Sequence, residues 1–243
     1  MRAGIFSLTP PAPADDDGSY LRWHLLDHMP EQYGIPGVVL AHRWTAEPDL
    51  LAERIVDDAP LGDTANLVQY YVTDPVEPTF AEFMQLGRRL DRLGRFPERR
   101  PSLGLRMLAH LRWYAAPSAL VSPEVIAFRP HRGILFVVEE PGAEEPGDGV
   151  DAWLRWLHRE HLPALLDVEG IAGAALYRSN DLWRLPDRID GDDAVVTVVY
   201  LDGDPVATTR RAAGLLGERW SSGAVRPLFA GPLRSMAHWE VWP

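Results

Sequence analysis

Two stretches of this chain read almost as one: YLRWHLLDHMP at Tyr20–Pro30 and WLRWLHREHLP at Trp153–Pro163. They share a Leu-Arg-Trp core and, four residues on, an acidic residue, a histidine, an apolar residue and a proline. The spacing between them is 133 residues, from His28 to His161. Self-similarity of this kind is tested outward from its best anchor, because a missed repeat miscalls the whole architecture. Three weaker anchors follow in the same order. Gly4-Ile5-Phe6 pairs with Gly133-Ile134-Leu135, Ile35-Pro36-Gly37 with Ile171-Ala172-Gly173 after a three-residue insertion, and Ala109-His110 with Ala237-His238. Four collinear matches point to two copies of one unit, 1–116 and 130–243, joined by a linker at 117–129 that holds Pro117 and Pro123.

The periodicities inside each copy repeat as well. Residues 3–9, 37–44, 65–73 and 105–114 carry short runs suited to strands. Tyr20, Trp23, His24, Asp27 and His28 recur at helical spacing, with Asp15-Asp16-Asp17 placed to cap that helix and Pro30 placed to stop it. Thr79 is read as the cap of a second helix running to about Leu93, with Phe80, Phe83, Met84, Gly87 and Leu90 along one face. In the second copy 134–138, 174–178, 195–201 and 233–242 read as strands, and 150–166 and 206–220 as helices. Val125-Ile126-Ala127-Phe128 reads as an optional extra strand, and the acidic, glycine-rich 139–148 as an exposed loop. The order is β-α-β-β-α-β twice, an α+β class of two ferredoxin-like repeats. A four-stranded sheet with helices on one face leaves the other face apolar, so the two sheets are expected to pack on each other as an intrachain barrel.

Trp23-x-x-x-Asp27-His28-x-Pro30 with Gly37, and Trp156-x-x-x-Glu160-His161-x-Pro163 with Gly173, resemble the acidic-His-x-Pro helix end and following glycine turn of EthD-like members of the dimeric α+β barrel superfamily. That resemblance implies the ferredoxin-like fold over nearly the whole chain. It also implies a range of activities on small molecules: isomerases, polyketide cyclases, cofactor-free monooxygenases, dehydratases and haem proteins. Fold alone does not choose among them.

Composition narrows the partners. The formal charge is -11 and the pI about 5.1, so no basic field exists to attract nucleic acid or an anionic membrane. No apolar run approaches a membrane span, and Met1-Arg2-Ala3-Gly4 enters a strand-like segment without a signal-peptide pattern, which predicts a cytoplasmic chain. Cysteine is absent and every one of the 24 basic residues is arginine. Disulfides, thiolate nucleophiles and lysine Schiff bases are thereby excluded.

Histidine is the remaining candidate for proton transfer, since an imidazole titrates near working pH. His28 and His161 lead, with His24 and Asp27 as helical neighbours of His28; a helix-capping role for the two histidines is the competing reading. His110, Arg112 and Tyr114 are expected on one face of the fourth strand, where they could orient a carbonyl substrate, with Trp23 and His238 completing a binding surface. His42, His131 and His158 are expected at the surface. A His24/His28 metal site lacks an evident third ligand, so no metal and no cofactor are expected. The leading function is a cofactor-independent enzyme using histidine acid/base chemistry on a hydrophobic, aromatic or polyketide-like molecule. A non-catalytic small-molecule-binding module and a haem protein remain open beside it, and an internal barrel leaves a homodimer open without requiring one.

Overall fold

The computed structural model describes residues 1–11, 18–96, 102–142, 148–179 and 194–236. Eight strands occur in chain order: β1 (Ala3–Thr9), β2 (Val38–Thr45), β3 (Asn66–Val72), β4 (Gly104–Ala115), β5 (Gly133–Pro141), β6 (Ile171–Arg178), β7 (Val195–Leu201) and β8 (Val225–Ser235). They form one closed antiparallel barrel in the order β1-β3-β2-β8-β5-β7-β6-β4. Each half contributes a four-stranded ferredoxin-like sheet, and the halves join where β4 pairs with β6 and β2 with β8.

The helices lie outside the barrel. In the first half α1 runs through Ser19–Trp23, a π-helical turn His24–His28 and Met29–Tyr33, followed by short α2 (Pro48–Leu51) and by α3 (Val76–Arg92). In the second half α4 runs through Asp148–Trp156, a π-helical turn Leu157–His161 and Leu162–Leu166, and α5 spans Pro205–Trp220. Strand alternation divides the core accordingly. Phe6, Leu8, Tyr71, Trp113, Ile134, Phe136, Tyr177 and Tyr200 fill the barrel from both halves. Ile5, Tyr70, Phe80 and Phe83 seal the helix layer of the first half, and Leu135, Trp153, Leu157 and Leu216 that of the second. Inside the barrel Phe6 meets Tyr177 edge-on at 4.9 Å, an aromatic geometry that adds about 0.5–1.5 kcal/mol beyond area burial.

Several sequence expectations shift in register. Ala3 faces Val72, and Gly133 faces Leu201, so Gly4 corresponds to Ile134 and not to Gly133. The expected match pairs outward Ile5 with inward Ile134, because a one-residue slip reverses every side chain of a strand. The glycine turn also needs no insertion. Gly37 and Gly170 sit at φ 98° and 96°. A Cβ on Gly37 would lie 2.2 Å from Thr79 Oγ1 and one on Gly170 2.5 Å from Thr208 Oγ1. Gly170, not Gly173, is the counterpart of Gly37, at the same 133-residue spacing as the two histidines.

Other elements differ in kind. Pro30 does not end its helix, and Thr79 lies inside α3, where its hydroxyl sits 2.7 Å from the Pro75 carbonyl. Residues Pro123–Phe128 form a 3-10 turn in place of a strand, with Ile126 and Ala127 buried in the barrel core. Glu139 and Glu140 belong to β5 and not to a loop. The last strand, β8, begins eight residues earlier than the expected 233. Asp15-Asp16-Asp17 and His238 lie outside the described residues.

Candidate functional site

The two π-helical turns are the local signature of the paired motif. Pro30 and Pro163 lack an N–H, and each ring would crowd the carbonyl four residues back. One residue earlier the Met29 N–H donates to the His24 carbonyl and the Leu162 N–H to the Leu157 carbonyl, both five residues back. The widened turn admits proline without breaking the helix. It also brings residues five apart onto one face: His28 stacks on Trp23 at 4.9 Å, and His161 meets Trp156 at 5.1 Å. Turns of this kind occur disproportionately at functional sites.

In the first half His28 also packs on Phe96 at 5.1 Å, and its ring lies 5.5 Å from that of His24. His24 is buried, and burial, reinforced by Arg43 and His28, holds its pKa well below the ordinary value. Asp27 does not serve either histidine. It pairs with Arg95 at 3.0 Å, together with Glu31 at 2.6 Å, and the Trp23 indole N–H donates to the Arg95 carbonyl at 2.6 Å. The side chain of Asp27 therefore fastens the helix to the end of α3.

The second half holds the more enclosed arrangement. Arg219, on α5, is fully buried and donates from Nε to Glu139 Oε1 at 2.7 Å and from Nη2 to Thr197 Oγ1 at 2.8 Å; Nη2 also reaches Glu139 Oε2 at 2.5 Å. The Trp220 indole donates to Glu139 at 2.6 Å, and Arg219 lies 5.2 Å from the Trp153 ring centroid. Nη1 of Arg219 is buried with no hydrogen-bond partner. The same arginine lines a cavity of about 570 Å³ with Gly149, Ala152, Trp153, Trp156 and Ser222. His161 stands beside Trp156, buried, with Nε2 unpartnered; burial, with Arg219 as the second cause, pushes its pKa down to about 3. The imidazole is thus neutral near pH 7. A second cavity of about 740 Å³ lies between α1 and α3, lined by Glu31, Ile35, Gln85, Arg88, Arg89 and Arg92 among others.

β4 does not present His110, Arg112 and Tyr114 on one face. Its pairing with β6 slips between His110 and Arg112, so Leu111 is the extra residue of a bulge. His110 consequently turns into the barrel, 4.5 Å from Trp113 and 5.3 Å from Tyr177, where burial pushes its pKa to about 4. Arg112 and Tyr114 face the helix layer of the second half, where the Tyr114 hydroxyl bonds His158 Nδ1. His158 is therefore engaged, and His131 is buried, bonded through Nδ1 to Asp202 at 2.8 Å and through Nε2 to the Ile126 carbonyl at 2.7 Å. His131 is therefore not at the surface as expected, and His158 is half-buried there. The Glu139–Arg219 pair was not anticipated; a glutamate followed by a second acid and Pro-Gly looked like solvent-exposed loop, and only the inward-outward alternation of Phe136 to Val138 extended by one residue could have flagged it.

No protein-family model matches the chain, and no curated protein sequence matches it. Solved structures do. A candidate chlorite dismutase superposes with a TM-score of 0.60 at 12% identity, covering 98% of this chain and 96% of the other. An anthrone oxidase-like protein gives 0.54 at 12% identity over 97% and 92%. A variant chlorite dismutase from Candidatus Nitrospira defluvii gives 0.56 at 14% identity over 98% and 93%. Likeness at these identities shows the fold. This chain shares the α+β architecture of those proteins across nearly its full length, and among its described residues no helix is long and apolar enough to cross a membrane.

Proposed function

We propose that this chain is an enzyme that binds a flat, hydrophobic small molecule in the helix layer of its second half and moves a proton beside a carbonyl or phenolic oxygen of that molecule. One observation carries the reading. Arg219, fully buried and charge-balanced by Glu139, keeps one donor atom, Nη1, without a hydrogen-bond partner, and the same residue lines a cavity together with two indole rings. A pocket that is mostly apolar with one oriented donor is the usual form of a small-molecule site. In this reading Arg219 polarises an acceptor oxygen, and His161, neutral and packed at 5.1 Å on the cavity-lining Trp156 but not itself on the wall, is the base assigned to take the proton. His28 with Trp23 is the corresponding pair of the first half. The oxidase-like and dismutase names of the structural neighbours support oxidation of a small molecule as the reaction class, with dioxygen as the oxidant that takes the substrate's electrons in a cofactor-free mechanism on the EthD-like pattern. Residues 1–116 and 130–243 are read as two diverged copies of one unit within the same proposal, working in the cytoplasm.

A haem reading was weighed against the same residues. The unpartnered Nε2 of His161 suits an axial ligand, but His161 is not on the wall of either described cavity, and no other histidine is. Haem binding is the second reading, and no step is assigned to the group.

The test is native mass spectrometry of the intact chain against a panel of aromatic ketones and phenols, followed by turnover assays with each binder. Ala152→Trp, which fills the cavity, should abolish binding, whereas His161→Ala should retain binding and lose turnover. Binding that survives Ala152→Trp overturns the site, and turnover unaffected by His161→Ala leaves the cavity as a non-catalytic binding module.

A further inference from the structure

The first half contains a buried charge that nothing described so far uses. Arg43 lies on β2, on the helix-facing side of the sheet, and is 3% exposed. Its second-half counterpart by strand register is Leu176: Arg43 faces Val68 on β3, as Leu176 faces Thr197 on β7. In the second half an aliphatic residue fills the corresponding position.

Among the described residues no carboxylate balances Arg43. Nη2 donates to Asn66 Oδ1 at 3.1 Å, and the guanidinium carbon lies 5.6 Å from the Tyr20 ring centroid. The groups that act on its charge are burial and the phenols Tyr20 and Tyr70; no aspartate or glutamate among the described residues does so. Nε and Nη1 are both buried without a partner. Two electrostatic neighbours share that condition. The Tyr70 hydroxyl and His24 Nδ1 are buried and unpartnered, in residues 2% and 5% exposed.

Isolated orphans of this kind are rare in folded proteins, and an unpaired buried charge is costlier than any neutral one. Water would satisfy the hydrogen bonds, but it leaves the positive charge uncompensated. The contrast with Arg219 is direct, since that guanidinium has Glu139.

From this cluster we infer that Arg43, with Tyr70 and His24, forms a binding site for a small carboxylate or planar oxyanion between α1 and the first-half sheet. The anion takes hydrogen bonds from Arg43 Nε or Nη1 and from the Tyr70 hydroxyl, with His24 Nδ1 as a third donor when that nitrogen carries the proton. Asn66 holds the guanidinium in place. These residues are distinct from the cavity at Trp153 and Arg219, so either site can fail without the other.

The probe is sodium formate, titrated at fixed ionic strength while the melting temperature of the full chain is followed, with benzoate as the bulky carboxylate arm. A ligand that binds only the folded state raises Tm saturably. The wild type should gain several degrees with formate, and Arg43→Met should lose the saturable part of that gain. Tyr70→Phe removes one hydroxyl, keeps the ring, and should weaken apparent formate affinity by about tenfold. A wild-type response to benzoate as strong as to formate assigns the site to the carboxylate of a larger ligand; a response to formate alone assigns it to a free anion. No saturable rise in the wild type with either probe overturns the inference, as does an equal rise in Arg43→Met. Should Arg43→Met not fold, unchanged formate affinity in Tyr70→Phe overturns it.

Discussion

Across the middle of the barrel the hydroxyl of Tyr71 meets that of Tyr200 at 3.0 Å. The two residues hold corresponding places on β3 and β7, 129 positions apart, so matching positions of the two halves meet. Two identical phenols cannot both donate to each other. Tyr71 gives its proton to Gln69 Oε1 at 3.0 Å, which leaves Tyr200 to donate to Tyr71, and Gln69 Nε2 donates onward to Tyr177 at 3.1 Å. Val198 stands where the second half would need its own glutamine.

That direction makes the two tyrosines unequal. Tyr71→Phe removes both the donor to Gln69 Oε1 and the acceptor of the Tyr200 proton in the buried interior and should cost about 2–3 kcal/mol, whereas Tyr200→Phe removes a single donor and should cost about 1 kcal/mol. Urea unfolding of both variants and the double variant should show a coupling above about 0.5 kcal/mol. Equal losses would contradict the assigned proton order.

Glu139 and Arg219 provide a second test. Glu139→Leu or Arg219→Met alone leaves an uncompensated buried charge and should lower stability by about 3–5 kcal/mol; the double variant should recover most of that loss. Denaturant midpoints of the three variants decide it, and additive losses would show that the pair is not mutually dependent.

Acid should weaken the fold in a defined window. The His161 imidazole is held at about 3 in the folded chain against 6.5 ordinarily, so between those values the unfolded chain binds the additional proton. Stability from this source is present above pH 6.5 and is lost as pH falls toward 3, with a slope approaching about 1.4 kcal/mol per pH unit. His24 contributes with the same sign. Unfolding free energies measured from pH 7 to pH 4 should therefore fall less steeply in His161→Leu than in the wild type.

The glycine turns should behave alike. Gly37→Ala and Gly170→Ala each place a side chain at positive φ and against a threonine hydroxyl, and each should destabilise by more than about 1 kcal/mol. A thermal melt showing either substitution to be neutral would separate the two turns.

The order of elements was legible because apolar periodicity and the duplicated Leu-Arg-Trp stretch both survive in the sequence. Exact register was not. The bulge at Leu111 inverts the faces of His110 and Arg112 and leaves no compositional trace. Proline at 30 reads as a helix stop unless the five-residue turn that accommodates it is known. The candidate histidines were visible as residue types, but what surrounds them depends on distant partners: Glu139 comes to Arg219 from 80 positions away, and Asp27 to Arg95 from 68. Arg43 gave no signal at all, since one arginine in an apolar run looks like any edge-strand charge.

A ring closed by two separate, identical chains must accept every substitution twice, once on each side of its axis. Tethering both halves in one polypeptide removes that obligation. Gln69 can stand opposite Val198, Arg43 opposite Leu176 and His24 opposite Leu157, so one flank is free to specialise while the other continues to hold the scaffold together.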